Sequence, residues 1–449
     1  MADHLAATGV LLVGGASERF GSPKALARLR AETLAERVWR VLGDTCQELI
    51  AVGKARDGLE LPFRVADDGA EERAPVFGVI AALRAAAHEA CVVVPVDCPL
   101  VTPELLRELA DACAVPQTGP LPGVYTKSML ENLEARVAAG ELALSGVNEN
   151  VVAVDEKLLL NVNTRMDLTA AAIADWARSR SDVRAALVVG SQARSGAPAD
   201  RWSDLDVGLF VDQPVVLAED TTWVEEFGRP VLTFLEPTAF GNRVERRVLY
   251  ESGEDVDFAL LEASSWHEFA SLPEARVTAE RGYRVLYDEL GLEDALDEPS
   301  TRAASLSDDA PDLTELASDF WYHALWAAKK LRRGEVYTAI SCLDGYMKAR
   351  LVTLLEWHAR AVEPAADTWH GGRFLERWAD PGALAALERA YAHYELRDVA
   401  RALWETVDLW QMLEEETARR LGLEVELDHA DLRRRIAEIV RDPRHEVRL

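Results

Sequence analysis

Between Ala185 and Asp212 the sequence reads AALVVGSQARSGAPADRWSDLDVGLFVD. The runs Ala185–Val189 and Leu205–Val211 are short, apolar and bounded by turn residues, the pattern of buried strands. The first stops at Gly190 and Ser191, and the second carries Asp204 and Asp206 at its start, two residues apart. Strand alternation sends residues i and i+2 to one face, so both carboxylates are expected to point at one spot. Two like charges that close need a counter-ion. Mg²⁺ suits the role, because it takes one or two carboxylates and completes its shell with water and substrate phosphates. Backbone N–H groups at Gly190 and the Ser191 hydroxyl are then placed to hold a phosphate. A third carboxylate, Asp257, stands at the head of another apolar run, VDFALL. Gly-Ser ends many strands and Asp-x-Asp sits in many solvated turns. The ordered set is far more specific than its parts.

In that order, Gly190-Ser191, Asp204-x-Asp206 and Asp257 resemble the nucleotidyltransferase superfamily that includes the aminoglycoside adenylyltransferases. The resemblance implies a Mg-ATP site in which Asp204, Asp206 and Asp257 are catalytic and hold the metal, and Gly190 and Ser191 bind the nucleotide. Glu236 ends a further strand pattern, RPVLTFLEP. It is either a general base for an acceptor hydroxyl or a solvent-facing carboxylate.

The first third of the chain carries a second set. TGVLLVGGASERFGSPKAL is a strand pattern leading into a loop with Gly14, Gly15 and Gly21, then a helical pattern near Lys24. Loop glycines let amides approach a triphosphate, and Arg19 and Lys24 can neutralise it. The run resembles the sugar-nucleotide and molybdenum-cofactor nucleotidyltransferases, which use a Rossmann-like sheet. The likeness continues through PVFGVIAAL, through VVVPVDCPL ending in Asp97, and through NVNTRMDL. It implies that Gly14, Gly15, Arg19 and Lys24 bind GTP or CTP, that Asp97 holds Mg²⁺, and that Asp67 meets the base, with Asp68 an almost equal choice. Between Cys113 and Tyr125 the chain is shorter than the resemblance leads one to expect. The acceptor is therefore left open.

After Asp312 the pattern turns helical, with apolar residues three and four apart and aromatics inside the stripe. This tail resembles the helical domain of the streptomycin (aminoglycoside 6-) adenylyltransferases. That implies Lys329 reaching the triphosphate and Trp321 and Tyr322 lining the acceptor side, with Trp326 in the core. Because Lys329 and Lys330 are adjacent, only one can face a cleft. Gly334 separates two helices.

The expected architecture is an α/β Rossmann-like NTP-transferase domain over 1–168, then an α+β polymerase-beta-like nucleotidyltransferase domain over 169–293. A polar acidic linker and a helical substrate-binding bundle over 313–441 follow. At 449 residues the length suits several domains. A net charge of -28 argues against nucleic acid or an anionic membrane as partner, and is compatible with a cationic acceptor such as an aminoglycoside. Five cysteines without metal-ligand spacing, no leader and no membrane-length apolar run point to the cytoplasm. The expected function is Mg-dependent nucleotidyl transfer at two sites. Its rivals are a nucleotide-binding sensor or scaffold, and a cofactor nucleotidyltransferase with a regulatory second domain.

Overall fold

The computed structural model describes residues 4–14, 20, 22–194, 199–200, 202–238, 243–297, 312–368 and 371–441. The chain divides into two compact units, Met1–Ala304 and Ser305–Leu449.

Unit 1 begins with an α/β layer. Its strands β1 (Leu5–Leu12), β2 (Cys46–Gly53), β3 (Val65–Asp67), β4 (Ala90–Pro95) and β5 (Gly123–Thr126) lie in the order β3-β2-β1-β4-β5. All pairs are parallel except β4 with β5. Such a sheet is covered on both faces, and the central strands accordingly read as unbroken apolar runs. Helix α1 (Leu34–Gly43) starts at a capping box between Thr33 and Glu36, worth about 1 kcal/mol. Helices α2 (Pro75–Ala85), α3 (Pro103–Ala112) and α4 (Leu130–Ala138) complete the layer. The short stretch after Cys113 forms a two-residue strand, Val115–Pro116, paired with Val151–Val152, and then returns antiparallel as β5.

Helix α5 (Arg165–Arg178) follows, opened by a second capping box between Thr164 and Asp167. Its sequence TAAAIADWA is rich in alanine, and Thr169–Ala174, Trp176 and Ala177 are all buried. Small side chains let backbone approach backbone on several sides at once. One apolar core runs from Leu11 and Val94 through α5 to Val207 and Phe258 of the next sheet.

That second sheet contains β6 (Val183–Val189), β7 (Leu205–Val211), β8 (Pro230–Pro237), β9 (Val244–Tyr250), β10 (Asp255–Glu262) and β11 (Arg284–Asp288). Their order is β8-β9-β10-β7-β6-β11, with β7 and β10 parallel and the rest antiparallel.

Unit 2 is helical. It contains α6 (Leu313–Arg332), then α7, which runs Val336–Ile340, through a π-helical stretch Ser341–Met347, into Lys348–Val362. Gly334, at φ +75°, makes the turn between them. Helices α8 (Pro381–Ala390), α9 (Leu396–Leu421) and α10 (His429–Arg441) close the bundle. Among the described residues no helix is long and apolar enough to cross a membrane.

Candidate active sites

The second sheet places three carboxylates together through its register alone. Asp206 on β7 lies opposite Val189 on one side and Asp257 of β10 on the other. Asp204 precedes β7 by one residue and shares the face of Asp206. One carboxylate oxygen from each of Asp204, Asp206 and Asp257 lies within 4.8 Å of the other two, the spacing of a shared cation. Asp257 is buried, and one of its oxygens has no hydrogen-bond partner. Burial pushes its carboxyl up to about 7, with Glu245, Asp206 and Asp204 adding to the rise while Arg247 opposes it.

The Gly-Ser turn abuts this cluster. Gly190 has φ +68°, and a Cβ there would lie 2.1 Å from Asp206 Oδ2, so only glycine fits beside the carboxylate. Ser191 next to it is 2 % exposed, and its hydroxyl has no hydrogen-bond partner. An orphaned hydroxyl beside crowded carboxylates marks a place that a ligand completes. The donor set, all hard oxygens, fits a Mg²⁺-type divalent cation with a phosphate group.

Glu236 lies on the edge strand β8, outside this cluster. Its carboxylate is 2.7 Å from Nε of Arg247. Arg247 Nη1 in turn lies 3.3 Å from Asp257 Oδ2, and Nη2 lies 2.7 Å from Glu245 Oε1. Arg247 and Glu245 were not foreseen from the sequence, although the signal existed. In RVERRV they alternate on one strand, and β9 pairs Arg247 directly with Asp257.

The first sheet carries a cavity of about 410 Å³ at the C-terminal ends of its parallel strands, lined by Gly14, Gly53, Lys54, Asp68, Asp97 and Asn161 among others. Ligands bind at such strand ends in open α/β sheets. Lys24 Nζ is 3.3 Å from Asp97 Oδ2 and donates to Asn163 Oδ1 at 2.8 Å. The Asn-x-Asn-Thr element is anchored to the same strand end, with Val162 N–H donating to Asp97 O at 2.8 Å. Gly15 and Arg19 lie outside the described residues. Gly14 lines the cavity.

Asp67 does not take the place expected for it. Its exposed carboxylate accepts from the N–H groups of Ala55 and Gly69, both at 2.7 Å, which hold it below the usual carboxylate range. Adjacent residues at a strand end point opposite ways, so the neighbour Asp68 faces the cavity. There it pairs with buried Lys54 at 2.7 Å, and Lys54 also donates to the carbonyls of Ala70 and Glu72. Lys54 too was missed in the sequence.

In unit 2, Trp321 is 1 % exposed, donates from Nε1 to Glu414 at 3.3 Å and stacks on His429. It is a core residue, not a lining for an acceptor. Tyr322 is exposed, and Trp326 packs against the core under Lys330. Lys330 is bound to Glu335 at 2.8 Å, whereas Lys329 is exposed.

Carboxylates this crowded, with a buried hydroxyl in the adjoining turn, are the equipment of an enzyme that moves nucleotidyl groups from a metal-bound triphosphate. Two families of such nucleotidyltransferases meet in this chain. The streptomycin adenylyltransferase family model matches residues 165–438 and the MobA-like NTP transferase domain matches residues 9–149, and the chain belongs to both families. A probable molybdenum cofactor guanylyltransferase of Pelotomaculum thermopropionicum is 35% identical over 191 residues, 38% of this chain and 93% of that protein. An aminoglycoside 6-adenylyltransferase of Bacillus subtilis is 23% identical over 191 residues, 41% of this chain and 65% of that protein. The crystal structure of an aminoglycoside 6-adenyltransferase from Bacillus subtilis covers 62% of this chain and 99% of its own, at 16% identity and a TM-score of 0.31.

Proposed function

We propose that the chain is a bifunctional Mg²⁺-dependent nucleotidyltransferase of the cytoplasm, with working parts 1–168, 169–293 and 313–441. The second and third parts together transfer AMP from ATP to a hydroxyl of a cationic aminoglycoside such as streptomycin. The observation that carries this reading is the convergence of Asp204, Asp206 and Asp257 beside the unpartnered Ser191 hydroxyl. Mg²⁺ bound by the three carboxylates supplies charge neutralisation at the triphosphate. Ser191, through its hydroxyl and N–H, holds a phosphate oxygen, and Gly190 keeps the turn close enough for it to do so. Glu236 takes the proton of the acceptor hydroxyl, with Arg247 fixing its position relative to Asp257. Lys329, exposed on α6, is assigned to nucleotide binding in the helical part, and acidic groups of this chain meet the acceptor's amines. Bond making at phosphorus needs little beyond such positioning and neutralisation.

The first part transfers GMP, or CMP, to a phosphorylated acceptor. Gly14, Gly15, Arg19 and Lys24 hold the triphosphate, and Asp97 holds the metal. Asp68 replaces Asp67 as the residue assigned to the base, because it lines the cavity. A carboxylate accepts from both N1–H and the exocyclic amine of guanine but from a single group of cytosine, which favours GTP. The free thiols of all five cysteines suit a reducing compartment.

Pyrophosphate release from full-length protein with Mg-ATP and an aminoglycoside panel tests the first assignment. Release with at least one aminoglycoside, abolished in Asp206→Asn, is expected. ATP binding without release on any acceptor would make the second site a nucleotide sensor. For the first site, calorimetry with all four nucleoside triphosphates should show Mg-dependent preference for GTP that Lys24→Ala removes.

A further inference from the structure

Between the two sheets of unit 1 lies a second cavity of about 250 Å³, lined by none of the residues assigned above to nucleotide or metal. One wall comes from the first sheet's side, with Phe20, Ser22 and the arginines Arg28 and Arg30. Arg165, the first residue of α5, forms a corner. The opposite wall comes from the second sheet's side, with Glu226, Phe227, Ser252 and Glu254. The family match over 9–149 supplies the first wall, and the match over 165–438 supplies Arg165 and the second. Neither family alone builds this cavity.

Its charges are unevenly used. Arg30 is occupied, bonded to Glu226 at 3.0 Å and to Asp175 at 3.2 Å. Arg28 makes its contact with its own turn, at Ala31 O. Arg165 lies over the Phe20 ring, 5.9 Å from its centroid, and has no carboxylate partner among the described residues. Two guanidiniums thus face the cavity with open donor edges in a chain of net charge -28. Across from them, Glu254 is buried to 7 % exposure and the Ser252 hydroxyl is exposed. One side offers donors to an oxyanion, and the other offers acceptors to hydroxyl groups.

We propose that this seam binds a small hydroxylated phosphate ester, of the sugar-phosphate class. A phosphate monoester carries about -1.5 to -2 charge at pH 7, enough to satisfy two guanidinium forks. A simple carboxylate would leave one of them unmatched. The polyol end then lies against Glu254 and Ser252. The site also adjoins the first nucleotide site through the chain itself. Ser22 and Arg165 each stand two residues from a partner of the Lys24–Asn163 hydrogen bond.

Calorimetry on full-length protein in EDTA tests the proposal, with ribose 5-phosphate as probe and inorganic phosphate and ribose as its two halves. Saturable binding of ribose 5-phosphate is expected, at least tenfold tighter than either half. Arg165→Gln and Arg28→Gln should each weaken it at least tenfold with the melting temperature unchanged, since both side chains are exposed. Lys24→Ala and Ser191→Ala, which each strip a phosphate contact from one nucleotide site, should retain it within about threefold. Absence of binding, binding indifferent to both arginine changes, or binding abolished by Lys24→Ala or Ser191→Ala would overturn the proposal. Equal affinity for inorganic phosphate would do so as well, because the acidic wall would then recognise nothing.

Discussion

The two candidate nucleotide sites of unit 1 handle charge in opposite ways. In the first, each cavity carboxylate already meets an ammonium, Asp97 with Lys24 and Asp68 with Lys54. In the second, Arg247 is divided among Asp257, Glu245 and Glu236, and Asp257 is still pushed up to about 7. The first site is balanced before any ligand arrives. The second crowds three carboxylates around one shared guanidinium, so its geometry and the proposed cation are one problem. A parallel sheet with a glycine loop can borrow backbone amides for phosphate, whereas a carboxylate face must import its positive charge.

Five substitutions sharpen this contrast. The largest effect is expected from Gly190→Ala, where alanine at φ +68° costs about 1–2 kcal/mol and its Cβ drives Asp206 aside. Unit 1 should melt lower, and Mn²⁺ binding, used as a Mg²⁺ substitute, should fall at least a hundredfold. Gly14→Ala in the first site should leave the melting temperature nearly unchanged, since among the described residues its Cβ would meet nothing nearer than Gly53 Cα at 3.8 Å. Equal damage from both would erase the distinction between the loops.

A smaller effect, opposite in sign between the sites, should follow from removing one carboxylate charge in EDTA. Asp204→Asn relieves repulsion and should hold or raise the melting temperature. Asp97→Asn removes the ion-pair partner of Lys24 and should lower stability by at most about 1 kcal/mol, the range of a partly exposed pair. The same sign in both variants would contradict the charge argument.

The last contrast is a pH slope. Asp257 is raised from 3.8 in the unfolded chain to about 7 in the folded one. Between those values the folded state binds more protons, so its contribution to stability is present below about 4 and is lost as pH rises toward 7. Metal-free wild type should therefore lose stability relative to Asp257→Asn across that window. Added Mg²⁺ should flatten the difference by competing with the proton. A difference that grows with pH in favour of wild type would refute the assignment of burial and crowding as the cause.

Legibility followed period. Strand alternation is a local property, so Asp204 and Asp206 could be paired from their spacing, and the run VDFALL marked Asp257 as a strand residue. Which strand would lie beside β10 is a matter of long-range register. Arg247 and Glu245 therefore carry no local mark in RVERRV. Asp67 and Asp68 differ by one residue, and the choice between them turned on which way the chain leaves β3. Trp321 sits in a helical stripe wide enough to look amphipathic in either direction. Its burial was decided by Glu414 and His429, about a hundred residues away. The α/β, α+β and helical layers, by contrast, were readable in order, because each rests on many residues rather than one.

Helix α5 has a genetic consequence. Its alanines close the apolar interior of both sheets at once, and Asp175 on it is held by Arg30 and Arg37 from the first half. No cleavage within residues 165–178 leaves either half with its interior sealed. The two halves of unit 1 therefore enter the cell in a one-to-one ratio and share a lifetime. A mutation that loosens one is inherited as a defect in both.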